Sequence, residues 1–100
     1  MKCMTYDTFF ETIGNATRLK ILHLLQEKPL SVSKICNNLK EEQSKISHNL
    51  KRLRECNFIK VKQSGKNRIY SLNKDTIVPL MNLVEKHVKT HCKNCKLNTC

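Results

Sequence analysis

The chain contains no tryptophan, two glycines and two prolines in 100 residues, and only eight acidic side chains. Scarce glycine and proline exclude a collagen-like, loop-rich or low-complexity chain. No apolar run is long enough to span a bilayer, and Met1-Lys2-Cys3-Met4-Thr5-Tyr6-Asp7 lacks a signal-peptide core, so a cytoplasmic protein with no membrane partner is expected. No glycine-rich phosphate loop, carboxylate pair or nucleophile motif is present, and no enzyme is expected. The length admits one compact domain, and the modest apolar fraction of 39% is the kind of core that a dimer interface would reinforce.

Positive charge is plentiful. Nineteen Lys and Arg against eight Asp and Glu give a net +11. Such an excess suits a polyanion, nucleic acid before membrane. The charge is also localised: Lys40 to Arg68 holds nine basic and three acidic residues, and Lys86 to the end holds four lysines and no acid. The six cysteines, in a reducing cytosol, read as thiols, metal ligands or redox sensors rather than as a disulfide framework.

Hydrophobic spacing sets out the elements. Phe9, Phe10, Ile13 and Ala16 predict a first helical region, interrupted near Gly14-Asn15. Asn15 or Thr17 caps a second helix bearing Leu19, Leu22 and Leu25, which Pro29 ends. Ser31 or Ser33 caps a short helix through Leu39, with Val32, Ile35, Cys36 and Leu39 inward. After the charged turn Lys40-Glu41-Glu42, a helix from about Gln43 to Glu55 buries Ile46, Leu50 and Leu53. The period then drops to two over Phe58–Gln63 and Arg68–Leu72, with Ser64-Gly65-Lys66-Asn67 as the turn. A last helix starts near Asp75, with Ile77, Leu80, Met81, Val84 and Val88 as its apolar stripe.

This order predicts a mainly α fold with a small β-hairpin: a winged helix-turn-helix. A recognition helix must bury one stripe and offer base edges the other. Gln43, Ser44, Ser47 and His48 supply short or planar hydrogen-bonding groups, while Lys45, Lys51, Arg52 and Arg54 supply cations for the backbone. Lys66, Asn67 and Arg68 in the hairpin turn extend the basic surface. The partner expected is a double-stranded DNA operator. A winged helix that binds protein instead of DNA is the rival, and the solvent-facing His48, Lys51 and wing cations argue against it.

The run Asn15-Ala16-Thr17-Arg18-Leu19-Lys20-Ile21-Leu22, taken with Gln43-Ser44-Lys45-Ile46-Ser47-His48-Asn49-Leu50-Lys51-Arg52-Leu53-Arg54, resembles the ArsR/SmtB repressors. The resemblance covers about Phe9 to Val88. It implies a homodimer built from the first and last helices, and a repressor released by a chemical signal. Two departures are visible: Glu42 stands where the family usually has a capping Ser, and Lys40 where it often has Gly.

The family's arsenic-type thiol pair falls on Ser31 and Ser33, and hydroxyls do not replace soft thiolates. Its zinc-type pair of the last helix falls on Lys74 and Thr76 (Asp75 and Ile77 if the register slips by one), with His87 and Thr90 near the end. Both of those sites are incomplete. The end of the chain carries its own donors: Cys92, Cys95, Cys100 and His91, with His87 and Cys3 as further candidates. Cys-x-x-Cys spacing lets two thiolates share one ion, and nearby lysines favour the thiolate form. A domain over residues 1–93 with a cysteine-bearing tail over 94–100 is expected. The ligand class is a thiophilic ion (arsenite, zinc or cadmium), released DNA being the output. The alternatives are a redox role, an iron–sulfur cluster, or tail thiols with no sensing role and histidines that serve only an interface. Cys36 reads as a small buried hydrophobe. Cys56, at the end of the recognition helix, is a weak ligand candidate because Arg52 stands where its companion ligand would be.

Overall fold

The computed structural model describes residues 5–92. Helix α1 spans Tyr6–Ile13, capped by Thr5, whose hydroxyl accepts from the Thr8 amide at 3.2 Å. It stops at Gly14, whose N–H returns to the Phe10 carbonyl at 2.9 Å. Asn15, not Thr17, caps α2 (Ala16–Glu27) by accepting from the Arg18 amide at 3.1 Å. Strand β1 (Leu30–Ser31) follows Pro29, and Ser31 also caps α3 (Val32–Leu39). The recognition-helix candidate is α4, Gln43–Glu55. Strands β2 (Ile59–Ser64) and β3 (Asn67–Leu72) form the hairpin, and α5 spans Ile77–His91.

The sheet has one strand more than a hairpin. Its order is β1-β3-β2, all antiparallel, with Leu30 opposite Tyr70 and Val61 also opposite Tyr70. A two-residue strand shows no alternation, so periodicity could not reveal it. The hairpin turns at Gly65, whose φ of +62° is a conformation glycine adopts without steric cost.

The core lies between α2, α3, α4 and the inner face of the sheet. Ile21, Leu22, Ile35, Ile46, Leu53 and Phe58 are each wholly buried. Each such side chain contributes about 1.5–3 kcal/mol in removing apolar surface from water. The α4 stripe is therefore Ile46, Leu50 and Leu53, as its spacing required, with Asn49 added as a buried polar member.

The apolar stripe expected on α5 divides. Ile77 and Met81, four residues apart, are buried in the protomer's own core, with Leu80 packed against it. Leu83 and Val84 instead face outward, 64% and 44% exposed. On α1, Tyr6 and Phe10 are likewise exposed, at 89% and 63%. Among the described residues, no helix is long and apolar enough to cross a membrane.

Candidate nucleic-acid interface

The α3–turn–α4 unit places the recognition helix. Its turn relies on an unusual residue: Lys40, the C-cap of α3, sits in the left-handed region at φ 55° and ψ 46°. Glu42 then takes the N-cap position of α4 with extended backbone but without a side-chain cap hydrogen bond. Both positions depart from the residues those geometries favour, glycine and serine, yet the turn keeps its shape.

With Ile46, Asn49, Leu50 and Leu53 directed inward, Gln43, Ser44, Ser47, His48 and Lys51 are exposed on the outer face of α4. The α4 helix and β3 enclose a crevice of about 350 Å³ between them. Gln43, Ser47, Lys51 and Arg54 of α4 line it, with Arg68 and Tyr70 of β3 opposite and Val32 and Leu50 at its floor. Three cations and no carboxylate line this crevice, so its field suits a phosphate group. The planar amide and hydroxyl groups beside them suit base edges or further phosphates.

The structure brings together Gln43, Ser47, Lys51, Arg54 and Arg68 of the expected set, and adds Tyr70. Arg54 was legible as a site member, since Ser47, Lys51 and Arg54 repeat at steps of four and three. Tyr70 was not, because its burial against β1 made it a core residue first. Lys66 is exposed at the hairpin turn. Lys45 forms an ion pair with Glu41 at 3.2 Å, on the solvent side of the same helix. Arg52 differs from its neighbours: its guanidinium donates to the Thr12 hydroxyl of α1 at 3.4 Å.

The sensor candidates are less gathered. The His87 and His91 rings lie one turn apart on α5 with centroids 4.8 Å from each other, and they line a shallow hollow with Leu83, Lys86 and Thr90. Leu83, rather than Leu80 or Val84, is their apolar neighbour along the helix. Cys92 caps α5 and is half-buried and unpaired, as is Cys36 beside the core. Among the described residues, no three His, Cys, Asp or Glu side chains gather closely enough to hold a metal ion. Cys3, Cys95 and Cys100 lie outside the described residues, so the expected thiolate set falls largely there. Cys56 departs from the expectation of free thiols: it is disulfide-bonded, with its sulfur 3.8 Å from the Thr12 hydroxyl.

A helix-turn-helix followed by a hairpin, with cations converging where the two meet, defines a winged helix-turn-helix protein of the nucleic-acid-binding class. Comparison with known proteins agrees. Residues 15–61 match the family model described as bacterial regulatory protein, arsR family. An uncharacterized HTH-type transcriptional regulator of Methanocaldococcus jannaschii is 35% identical over 78 residues, covering 77% of this chain and 88% of the relative. The arsenical resistance operon repressor of Staphylococcus aureus is 26% identical over 98 residues, covering 94% of each. Among solved structures, the homodimeric winged helix-turn-helix DNA-binding domain of a possible ArsR-family regulator from Mycobacterium bovis superimposes with a TM-score of 0.79. That match has 22% identity and covers 87% of this chain and 81% of the other, and it speaks for the fold.

The chain belongs to the ArsR/SmtB family of DNA-binding transcriptional regulators. These are regulators, not enzymes.

Proposed function

We propose that this protein is a cytoplasmic, homodimeric repressor that reads a double-stranded DNA operator through α4 and the wing. The observation that carries this reading is the crevice in which Lys51, Arg54 and Arg68 converge beside Gln43 and Ser47. Phosphates seated there hold the register, while the exposed Ser44, Ser47 and His48 meet base edges. The homodimer reading is supported by the unpartnered apolar side chains of α1 and α5, Tyr6, Phe10, Leu83 and Val84. Water-exposed groups of that size on helices at both ends of a small domain suit a self-complementary interface. The similar domain from Mycobacterium bovis is described as homodimeric.

The signal in this reading is a thiophilic metal or metalloid ion held by Cys92, Cys95 and Cys100, with His91, His87 and the partner protomer's Cys3 as further ligands. Soft thiolates and imidazoles are the donors such ions prefer. One of the relatives is named for arsenical resistance. A coupling of about 1–3 kcal/mol between ion and operator changes DNA affinity roughly 5- to 150-fold. Gel shifts on a duplex enriched from a random pool test both halves together. The wild-type protein binds it in a salt-dependent way and is released by arsenite or cadmium, while Cys95→Ser binds the DNA but resists release. Equal release of both proteins removes the tail from the mechanism.

The redox form of the same function has one observation in its favour: the disulfide at Cys56, at the C-cap of the recognition helix. In that form, dithiothreitol rather than a metal ion changes operator affinity, and Cys56→Ser abolishes the response.

A further inference from the structure

Thr12 and Arg18 form a polar junction behind the recognition helix that the DNA-facing residues do not explain. Thr12, on the last turn of α1, is wholly buried. Its hydroxyl donates to the Thr8 carbonyl at 2.8 Å and accepts from Arg52 at 3.4 Å. Arg18, on the first turn of α2, donates from Nε to the Asn49 side-chain oxygen at 3.0 Å and from Nη1 to the Thr12 carbonyl at 3.2 Å. Asn49 lies in the middle of α4, 7% exposed, and its amide nitrogen donates to the Lys45 carbonyl at 2.9 Å. One guanidinium thus connects three helices: its own, α1 and α4.

Arg18 is a poor candidate for a phosphate ligand, since two of its donors are committed inward. Its position is also not the cheapest way to fill the space. Burial, and secondarily the charge of Arg52, push its pKa below the ordinary arginine value, with Glu11 acting in the opposite direction. A guanidinium remains charged regardless. Such a charge in a partly desolvated place contributes little net stability, but its directional bonds select one arrangement of the helices around it. Apolar contacts alone would permit α4 to roll or slide against α1 and α2.

We propose that Arg18 is a positioning residue for operator recognition. By holding Asn49 of α4 and the Thr12 carbonyl of α1 in one guanidinium fork, it fixes the angle at which Gln43, Ser44, Ser47 and His48 meet the groove. Because α1 also carries the exposed Tyr6 and Phe10, the same fork ties the recognition helix to a surface suited to a second protomer. The inference rests on the DNA-reading function proposed above. Lysine does not replace arginine here: a point-like ammonium retains the charge but not the planar spread that reaches both acceptors.

The test uses two duplexes of equal length, one enriched from a random pool by the wild-type protein and one of random sequence. Affinities are measured at one salt concentration for wild type, Arg18→Lys, Asn49→Ala and the double variant. Arg18→Lys keeps the net charge, so random-sequence affinity changes less than about twofold, while the enriched duplex loses about 10- to 30-fold. Asn49→Ala does the same, and the double variant loses little more than either alone, because both changes remove one connection. Equal losses on both duplexes, strictly additive losses, or an unchanged preference for the enriched duplex overturn the proposal. Should Arg18→Lys fail to fold by circular dichroism, Asn49→Ala decides alone, and an intact preference refutes the inference. Failure of the DNA-reading function has a different signature: the wild-type protein then enriches no duplex.

Discussion

Replacing Lys40 with glycine should stabilise this protein. Lys40 holds φ 55° and ψ 46° at the C-cap of α3, where a Cβ crowds the following carbonyl. For an L-residue that conformation costs about 1–2 kcal/mol, and glycine escapes it. Glycine adds freedom to the unfolded chain, which returns about 0.4–1 kcal/mol of the gain. The Lys40 side chain is exposed and takes part in neither of the ion pairs found among the described residues, so its removal forfeits little else. The net expectation is a gain of about 0.5–1 kcal/mol, or roughly 2–8 °C in melting temperature for a domain of this size. Thermal unfolding by circular dichroism measures it, with protomer concentration fixed because dimerisation itself shifts the midpoint. Lys40→Asn, which tolerates the same backbone region, should fall between the two. A melting temperature for Lys40→Gly equal to or below that of wild type refutes the reasoning about strain in this turn.

Leu53→Ala, at a wholly buried site of α4, should cost about 2–5 kcal/mol in denaturant unfolding, and a loss below about 1 kcal/mol would contradict its place in the core. Asp7 is held below the ordinary carboxylate range chiefly by the Thr5 hydroxyl. A depressed pKa contributes stability above the unfolded value that is lost as pH falls through the folded one. Asp7→Asn should therefore lower the melting temperature slightly at neutral pH and leave it unchanged in strong acid; an equal loss at both refutes the assignment. Leu83→Lys, placing charge on the outward face of α5, should shift sedimentation toward monomer at micromolar protein, and an unaltered dimer would remove that face from the interface.

Much of the fold was legible because α4 and the β2–β3 hairpin have clean periods. Ile46, Leu50 and Leu53 step by four and three, and all three are buried. The hairpin residues alternate, and Ser64 to Asn67 turned as their composition implied, with the strand starting at Ile59 rather than Phe58. What periodicity missed was set by tertiary contact. Strand β1 exists only because Leu30 and Ser31 meet Tyr70 and Ile69. The stripe on α5 looked single in sequence but serves two surroundings, since Ile77 and Met81 face inward while Leu83 and Val84 do not. At the crevice between α4 and β3, residue types and helix phase were enough to group Gln43, Ser47, Lys51, Arg54 and Arg68. They were not enough for Arg52, whose sequence neighbours are solvent-facing cations but whose guanidinium turns to Thr12. Helix phase put Asn49 on the inner stripe, three residues after Ile46 and four before Leu53, but its polar side chain hid it among the outward-facing hydrogen-bonding groups rather than marking it as a buried acceptor.

The central claim, that α4 reads bases and the wing holds phosphates, is tested most directly by comparing two double variants across a salt series. Ser47→Ala/His48→Ala should lose about 1–3 kcal/mol per base contact on the enriched duplex, with the salt slope and random-sequence affinity unchanged. Lys66→Ala/Arg68→Ala should weaken binding to both duplexes alike and flatten the slope of log affinity against log salt by about one unit per lost phosphate contact. Recognition-helix variants that bind the enriched duplex as wild type does would contradict the account.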